Sequence, residues 1–172
     1  RGHPDIRHQW IGAENEGQRQ LLNAVEIGLS GNTTRMGRLL APFGIRYVAL
    51  VERSTPSFSA GLDRPIGQRA RQAIDSQLDL RPLATDPSVT VLINESWLSS
   101  RSQFGSPMRV AGLDEPGELV VTDLSFGIPV LSDRRSSTEQ HGFVDAGEVL
   151  VADTYDPHWR LLVGDEAVLP DV

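Results

Sequence analysis

The apolar pattern changes character at Pro107, which suggests two modules. Before it, apolar residues recur at spacings of three and four in several stretches, as helix faces require. After it, Val110, Leu119-Val120-Val121, Ile128 to Val130, Phe143-Val144, Val149-Leu150-Val151 and Leu161-Leu162-Val163 form short runs separated by Gly, Pro, Asp or Ser. Runs of this kind predict an antiparallel β-sandwich or jelly-roll-like module. The 16 Gly and 11 Pro among 172 residues also interrupt the chain too often for long helices. Charge divides at the same place: residues 1–106 hold 12 Arg against 10 acidic residues, net +2, and residues 107–172 hold 4 Arg against 13, net −9. The expected fold class is α+β. An irregular lead-in over residues 1–17, anchored by Trp10 and Ile11, precedes a small α/β module over 18–106 and the β-sandwich-like module over 107–172. About 65 residues are few for a complete sandwich, so the second module is expected to lean on the first or to belong to something larger, and the two modules are expected to share an interface.

Within the first module, Leu22, Val25 and Leu29, flanked by Leu21, mark one face of a helix over 18–29 that Gly31-Asn32 stops. Met36, Leu39 and Leu40 belong to a second short helix that ends before Pro42. Ile45 to Val51 is apolar but for Arg46, which predicts a strand buried on both faces. A loop over 52–65 carries Phe58, and Ile66, Ala70, Ala73 and Ile74 then share a helical face. Short strands at 80–84 and 89–94 flank Thr85-Asp86-Pro87-Ser88, a composition suited to a turn.

Two absences narrow the chemistry. With no Cys, thiolate nucleophiles, zinc–thiolate sites and iron–sulfur ligation are excluded. All 16 basic residues are Arg, which removes the P-loop lysine, Schiff-base lysines and the Ser-x-x-Lys hydrolases. The net charge of −7 argues against a nucleic-acid groove. No Gly-x-Ser-x-Gly elbow occurs, and none of His3, His8, His141 and His158 stands at a metal-ligand spacing, so no cofactor is expected.

The candidate ligand site is Asp156-Pro157-His158-Trp159-Arg160 with Tyr155 before it. Trp159 stacked on a pyranose, with Tyr155, Asp156, His158 and Arg160 around it, would form a sugar platform. The plainer reading buries Trp159 in the core as the anchor of a turn, and packed aromatics outnumber sites. Arg35, Arg38 and Arg46 flank a helix–strand junction, with Arg69 and Arg71 on the next helix, where an anion could be held. A solvated face making weak ion pairs is the preferred alternative. Asn32-Thr33-Thr34 and Asn94-Glu95-Ser96 fit the N-glycosylation triplet, and both are expected to be unmodified.

Gly37-Arg38-Leu39-Leu40-Ala41-Pro42-Phe43-Gly44-Ile45-Arg46-Tyr47-Val48, then Gln77-Leu78-Asp79-Leu80-Arg81, then Val91 to Leu98 with its Trp97, and finally Val151 to Arg160 stand in a distinctive order. In that order they resemble the region after the last membrane spans of large actinobacterial membrane glycosyltransferases of the family 2 type, and related multi-spanning surface-glycan assembly proteins. The resemblance covers most of residues 20–164. His158 stands where the family has Gly, and Gly164-Asp165 inverts its Asp-Gly order. The family's nucleotide-sugar domain has no counterpart in this sequence. The resemblance therefore implies an extracytoplasmic domain without the transferase site, at the outer face of the plasma membrane and joined to the membrane by spans of a parent chain. Its implied role is binding or scaffolding, with a cell-envelope glycan or lipid-linked sugar as partner and no nucleic acid. The alternatives are a glycan-acting hydrolase using paired carboxylates, or a free-standing soluble protein-binding module.

Overall fold

The computed structural model describes residues 16–51, 66–86, 88–105, 124–134, 136, 139–153 and 158–168. Val110, Leu119 to Val121, Trp10, Ile11 and Phe58 lie outside the described residues, as do residues 1–15 of the lead-in. The fold is mixed α+β, with three α-helices and four small antiparallel sheets among the described residues.

Helix α1 (Glu16–Leu29) forms where the apolar spacing predicts it. Its buried face differs by one position from the expected one. Leu21, Val25 and Leu29 pack against the core, Ala24 and Gly28 are fully buried, and Leu22 is left exposed. Small residues at 24 and 28 allow a neighbouring helix to approach closely, so they sit inward in place of Leu22. The helix ends at Gly31, whose φ of 79° is open to glycine without a Cβ penalty. Gly31 and Asn32 donate back to the Gly28 and Ile27 carbonyls, which satisfies the last turn.

Helix α2 (Met36–Leu40) follows and runs into a single 3-10 turn at Ala41–Phe43. Strand β1 (Tyr47–Val51), helix α3 (Gln68–Asp75), β2 (Leu80–Thr85) and β3 (Val89–Asn94) complete the expected order of elements. The three strands form one antiparallel sheet in the order β1-β3-β2. A turn joins β2 to β3, in which Asp86 and Val89 exchange backbone hydrogen bonds and Ser88 N–H donates to Asp86 Oδ1 at 2.8 Å.

The helices cover one face of this sheet. Met36, Leu40, Leu50, Ile74, Leu80 and Leu92 form the main core, with Leu21, Val25, Leu29, Ile45, Val48 and Ile66 around it. The expectation that Ile45 to Val51 is buried on both faces is therefore corrected. β1 is an edge strand, in which Leu50 is buried and Tyr47 and Val51 are each 49% exposed. Antiparallel pairing with a single helical layer buries alternate residues, so apolar content on both faces did not imply two covered faces.

Strand β4 (Arg101–Phe104) pairs with β5 (Ile128–Pro129) on one side and β8 (Glu148–Val151) on the other, a second antiparallel sheet. Two hairpins stand beside it, β6 (Asp133–Arg134) with β7 (Gln140–His141), and β9 (Leu161–Val163) with β10 (Glu166–Val168). Phe143-Val144 forms no strand, and Phe143 is fully exposed, so that apolar run is corrected to a surface segment. Ala41 of the 3-10 turn packs with Leu98, Phe104, Leu124 and the partly buried Leu150. This second cluster joins the helical half of the chain to the second sheet. Truncation at its centre leaves a cavity lined by residues of both halves. Phe104→Ala is expected to lower the unfolding free energy by about 3–5 kcal/mol, measured by urea denaturation, with the fluorescence and far-UV circular dichroism transitions remaining coincident.

Candidate functional site

Helix α2 is too short to hold itself, and Arg35 before it supplies no side-chain cap. Its N-terminal N–H groups are met by the segment between α3 and β2. Gln77 Oε1 accepts from Met36 N–H at 2.6 Å, Asp79 Oδ1 from Gly37 N–H at 3.0 Å, and Asp79 Oδ2 from Arg38 N–H at 2.8 Å. Ser96 Oγ donates to the same Asp79 oxygen at 3.2 Å. A carboxylate at a helix N-terminus interacts favourably with the exposed amide dipoles, and its hydrogen bonds are charge-assisted.

The rest of this polar cluster is equally occupied. Gln77 Nε2 donates to the carbonyls of Thr33 and Ala73, and Asn94 Nδ2 to those of Gly37 and Ile45. Asn94 Oδ1 accepts from Ser96 N–H at 2.9 Å. Gln77, Asp79 and Asn94 are 7%, 5% and 2% exposed, so their polar atoms are matched to the fold and closed to solvent. The Asn94 triplet is accordingly unavailable to a glycosylating enzyme in the folded chain, since both amide protons are engaged and buried. Gly37 sits where a Cβ would meet the Asn94 amide oxygen and come within 2.8–2.9 Å of the Asp79 carboxylate, contacts that real Cβ atoms do not make.

Beside this cluster the surface carries an aromatic–guanidinium group. The Arg46 guanidinium carbon lies 4.7 Å from the Trp97 ring centroid and 5.4 Å from that of Tyr47. Trp97 Nε1 donates to the Gly44 carbonyl at 3.1 Å, which fixes the indole. Arg81, two strands away from Tyr47, pairs with Glu95 at 2.6 Å. The sequence marks Arg46 as an anion-holding candidate, whereas Tyr47 and Trp97 stand out in it only as parts of the segments that carry the resemblance. Fifty residues separate Arg46 from Trp97, and only the β1–β3 pairing brings them together.

The arginines otherwise behave as a solvated face does. Arg71 Nε donates to Asp75 one helical turn on, at 3.2 Å. Of the sugar-platform residues, Tyr155 and Asp156 lie outside the described residues. His158, Trp159 and Arg160 are exposed, just before β9, and Arg160 Nη1 donates to the Trp159 carbonyl. Trp159 is 37% exposed, so the plainer reading of it as a core anchor is corrected. Among the described residues after β8, Leu162, Val163 and Val168 are exposed as well. Among the described residues no group of three or more His, Asp or Glu could hold a metal ion.

Replacing Asp79 by Asn keeps the shape but turns one acceptor into a donor facing an N–H. Asp79→Asn is expected to destabilise the chain by about 1–3 kcal/mol, read from urea denaturation midpoints. Gly37→Ala should cost at least as much, because the nearest atoms are the Asn94 amide oxygen and the Asp79 carboxylate, both held by buried hydrogen bonds with no room to yield. Trp159→Phe should remove the acrylamide-accessible part of the emission that belongs to residue 159 while leaving the melting temperature unchanged. No protein-family model matches the chain, and no curated protein or solved structure matches it.

Proposed function

We propose that this chain is a non-catalytic extracytoplasmic domain of a membrane-embedded, glycosyltransferase-like parent protein, and that it binds or scaffolds in cell-envelope glycan assembly. One observation carries the reading. Three of the four segments on which the family resemblance rests, residues 37–48, 77–81 and 91–98, meet in a single buried polar cluster in which Gln77, Asp79 and Asn94 are all committed to backbone or Ser96 partners. Residues widely spaced in sequence thus serve one structural purpose, which is what a shared scaffold requires. The buried carboxylate that an active site would have offered is held by three donors as a helix cap.

The expected partner is a cell-envelope glycan or lipid-linked sugar, met at exposed aromatic and Arg side chains. The parent chain would supply the membrane spans, since no helix among the described residues is long and apolar enough to cross a bilayer. We assign residues 107–172 to a sandwich-like or jelly-roll-like arrangement. The support is the antiparallel sheet β5-β4-β8 with its two accompanying hairpins.

The test is topological. In cells expressing the full-length gene product with an epitope placed in this region, protease added to intact spheroplasts should remove the epitope. Protection in intact spheroplasts, with loss only after lysis, would overturn the assignment.

A further inference from the structure

Arg46 differs from the ion-paired arginines of the helical half, and from the exposed Arg35 and Arg69, by its place over two aromatic rings. Arg71 is paired with Asp75 and Arg81 with Glu95, whereas the Arg46 side chain makes no ion pair or hydrogen bond with any described residue. Its guanidinium is held over the rings of Trp97 and Tyr47 instead. A guanidinium held against aromatic rings without a hydrogen bond keeps its N–H groups for an acceptor, and those groups match an oxyanion two at a time. The ring beneath it is itself fixed, because the Trp97 N–H is bonded to the Gly44 carbonyl. A charge fixed in this way loses little freedom when a ligand arrives.

The neighbouring surface has the chemistry of a sugar face. Tyr47 is 49% exposed and opens β1 on the side of the sheet away from the helices. Ile93 pairs with Tyr47 on one side and with Arg81 on the other, so one row of the sheet reads Tyr47, Ile93, Arg81. The row spans about 10 Å, two inter-strand spacings. It places an aromatic ring and an aliphatic floor between Arg46 at one end and the exposed Arg81–Glu95 pair at the other. An aromatic face receives the C–H side of a pyranose, and a paired carboxylate and guanidinium offer both acceptors and donors to hydroxyls.

We propose that this patch is a binding site for an anionic sugar. Its oxyanion sits on the Arg46 guanidinium, its ring lies against Tyr47, and its hydroxyls face the Arg81–Glu95 pair. The sugar half of the assignment rests on the glycan-binding reading above, whereas the oxyanion half stands on the geometry of Arg46. A phosphate ester and a carboxylate present the same pair of oxygens, so a lipid-linked sugar phosphate and a uronic acid residue are its two sources.

The experiment is a titration of the 15N-labelled chain with glucose 1-phosphate, glucuronate, glucose and inorganic phosphate, followed at the Arg46 Nε and Trp97 indole resonances. At least one anionic sugar should shift both resonances saturably, and the tighter of the two identifies the source. Glucose should leave them in place at the same concentration, and inorganic phosphate should bind at least tenfold more weakly than the better sugar. Arg46→Lys should weaken that sugar tenfold or more, and Tyr47→Val should reduce its affinity to that of inorganic phosphate. Both positions are on the surface, and an unchanged melting temperature verifies each variant; if one variant is unfolded, the other together with the four wild-type titrations decides. Absence of any shift, equal binding of glucose, equal binding of inorganic phosphate, or an unchanged affinity in Arg46→Lys would each overturn the proposal. The spheroplast result is independent of these titrations, so failure of this site and failure of the envelope-domain reading are told apart.

Discussion

The Asp79 carboxylate at the start of α2 is the contact on which the other parts of the helical half depend. A five-residue helix has almost no stability of its own, because nucleation costs more than one turn of hydrogen bonds returns. Here its first N–H groups are met by Gln77 and Asp79, side chains about forty residues further along the chain. That arrangement ties the helical layer to the segment entering β2. Asn94 then ties the same helix to the end of β3 and, through the Ile45 carbonyl, to the approach to β1. One small cluster thus sets the spacing between the helices and the sheet, and it requires glycine at residue 37 because the capping carboxylate occupies the space of a side chain.

Geometry propagates from that cluster to the surface and to the second sheet. Ser96 bonds both Asp79 and Asn94, which shapes the turn leaving β3. The turn delivers Trp97 to the Gly44 carbonyl and Leu98 to the cluster of Ala41, Phe104 and Leu124. Trp97 in turn carries Arg46. The placement of an exposed cation and the joining of the two halves therefore have a common origin in buried hydrogen bonds, which are directional where apolar contacts are not.

Stability is distributed unevenly as a result. Among the described residues the buried apolar side chains belong mostly to the elements before Phe104, with Leu124 beyond them. The strands β9 and β10 present Leu162, Val163 and Val168 to solvent. The hairpins of the second half consist of strands of two or three residues, and such hairpins need packing against a neighbour to persist. The sheet containing β4 provides the described link, since it draws one strand from before residue 106 and two from after it.

Local signals in the sequence determined the elements of the helical half. The three-and-four spacing from Leu21 to Leu29 set α1, Gly31 ended it, and Asp86 with Ser88 set the turn between β2 and β3, because each depends on residues within a few positions of one another. Tertiary structure alone decided which face of each element was covered. Leu22 and Phe143 are apolar yet exposed, Asp79 and Asn94 are polar yet buried, and Trp159 lies at the surface. The same holds for the candidate site: Arg46 was visible as a basic residue at a helix–strand junction, but the Trp97 ring meets it only after β1 and β3 have paired. Burial and side-chain convergence are properties of residues far apart in the chain, and one sequence read locally carries propensity without the partner that satisfies it.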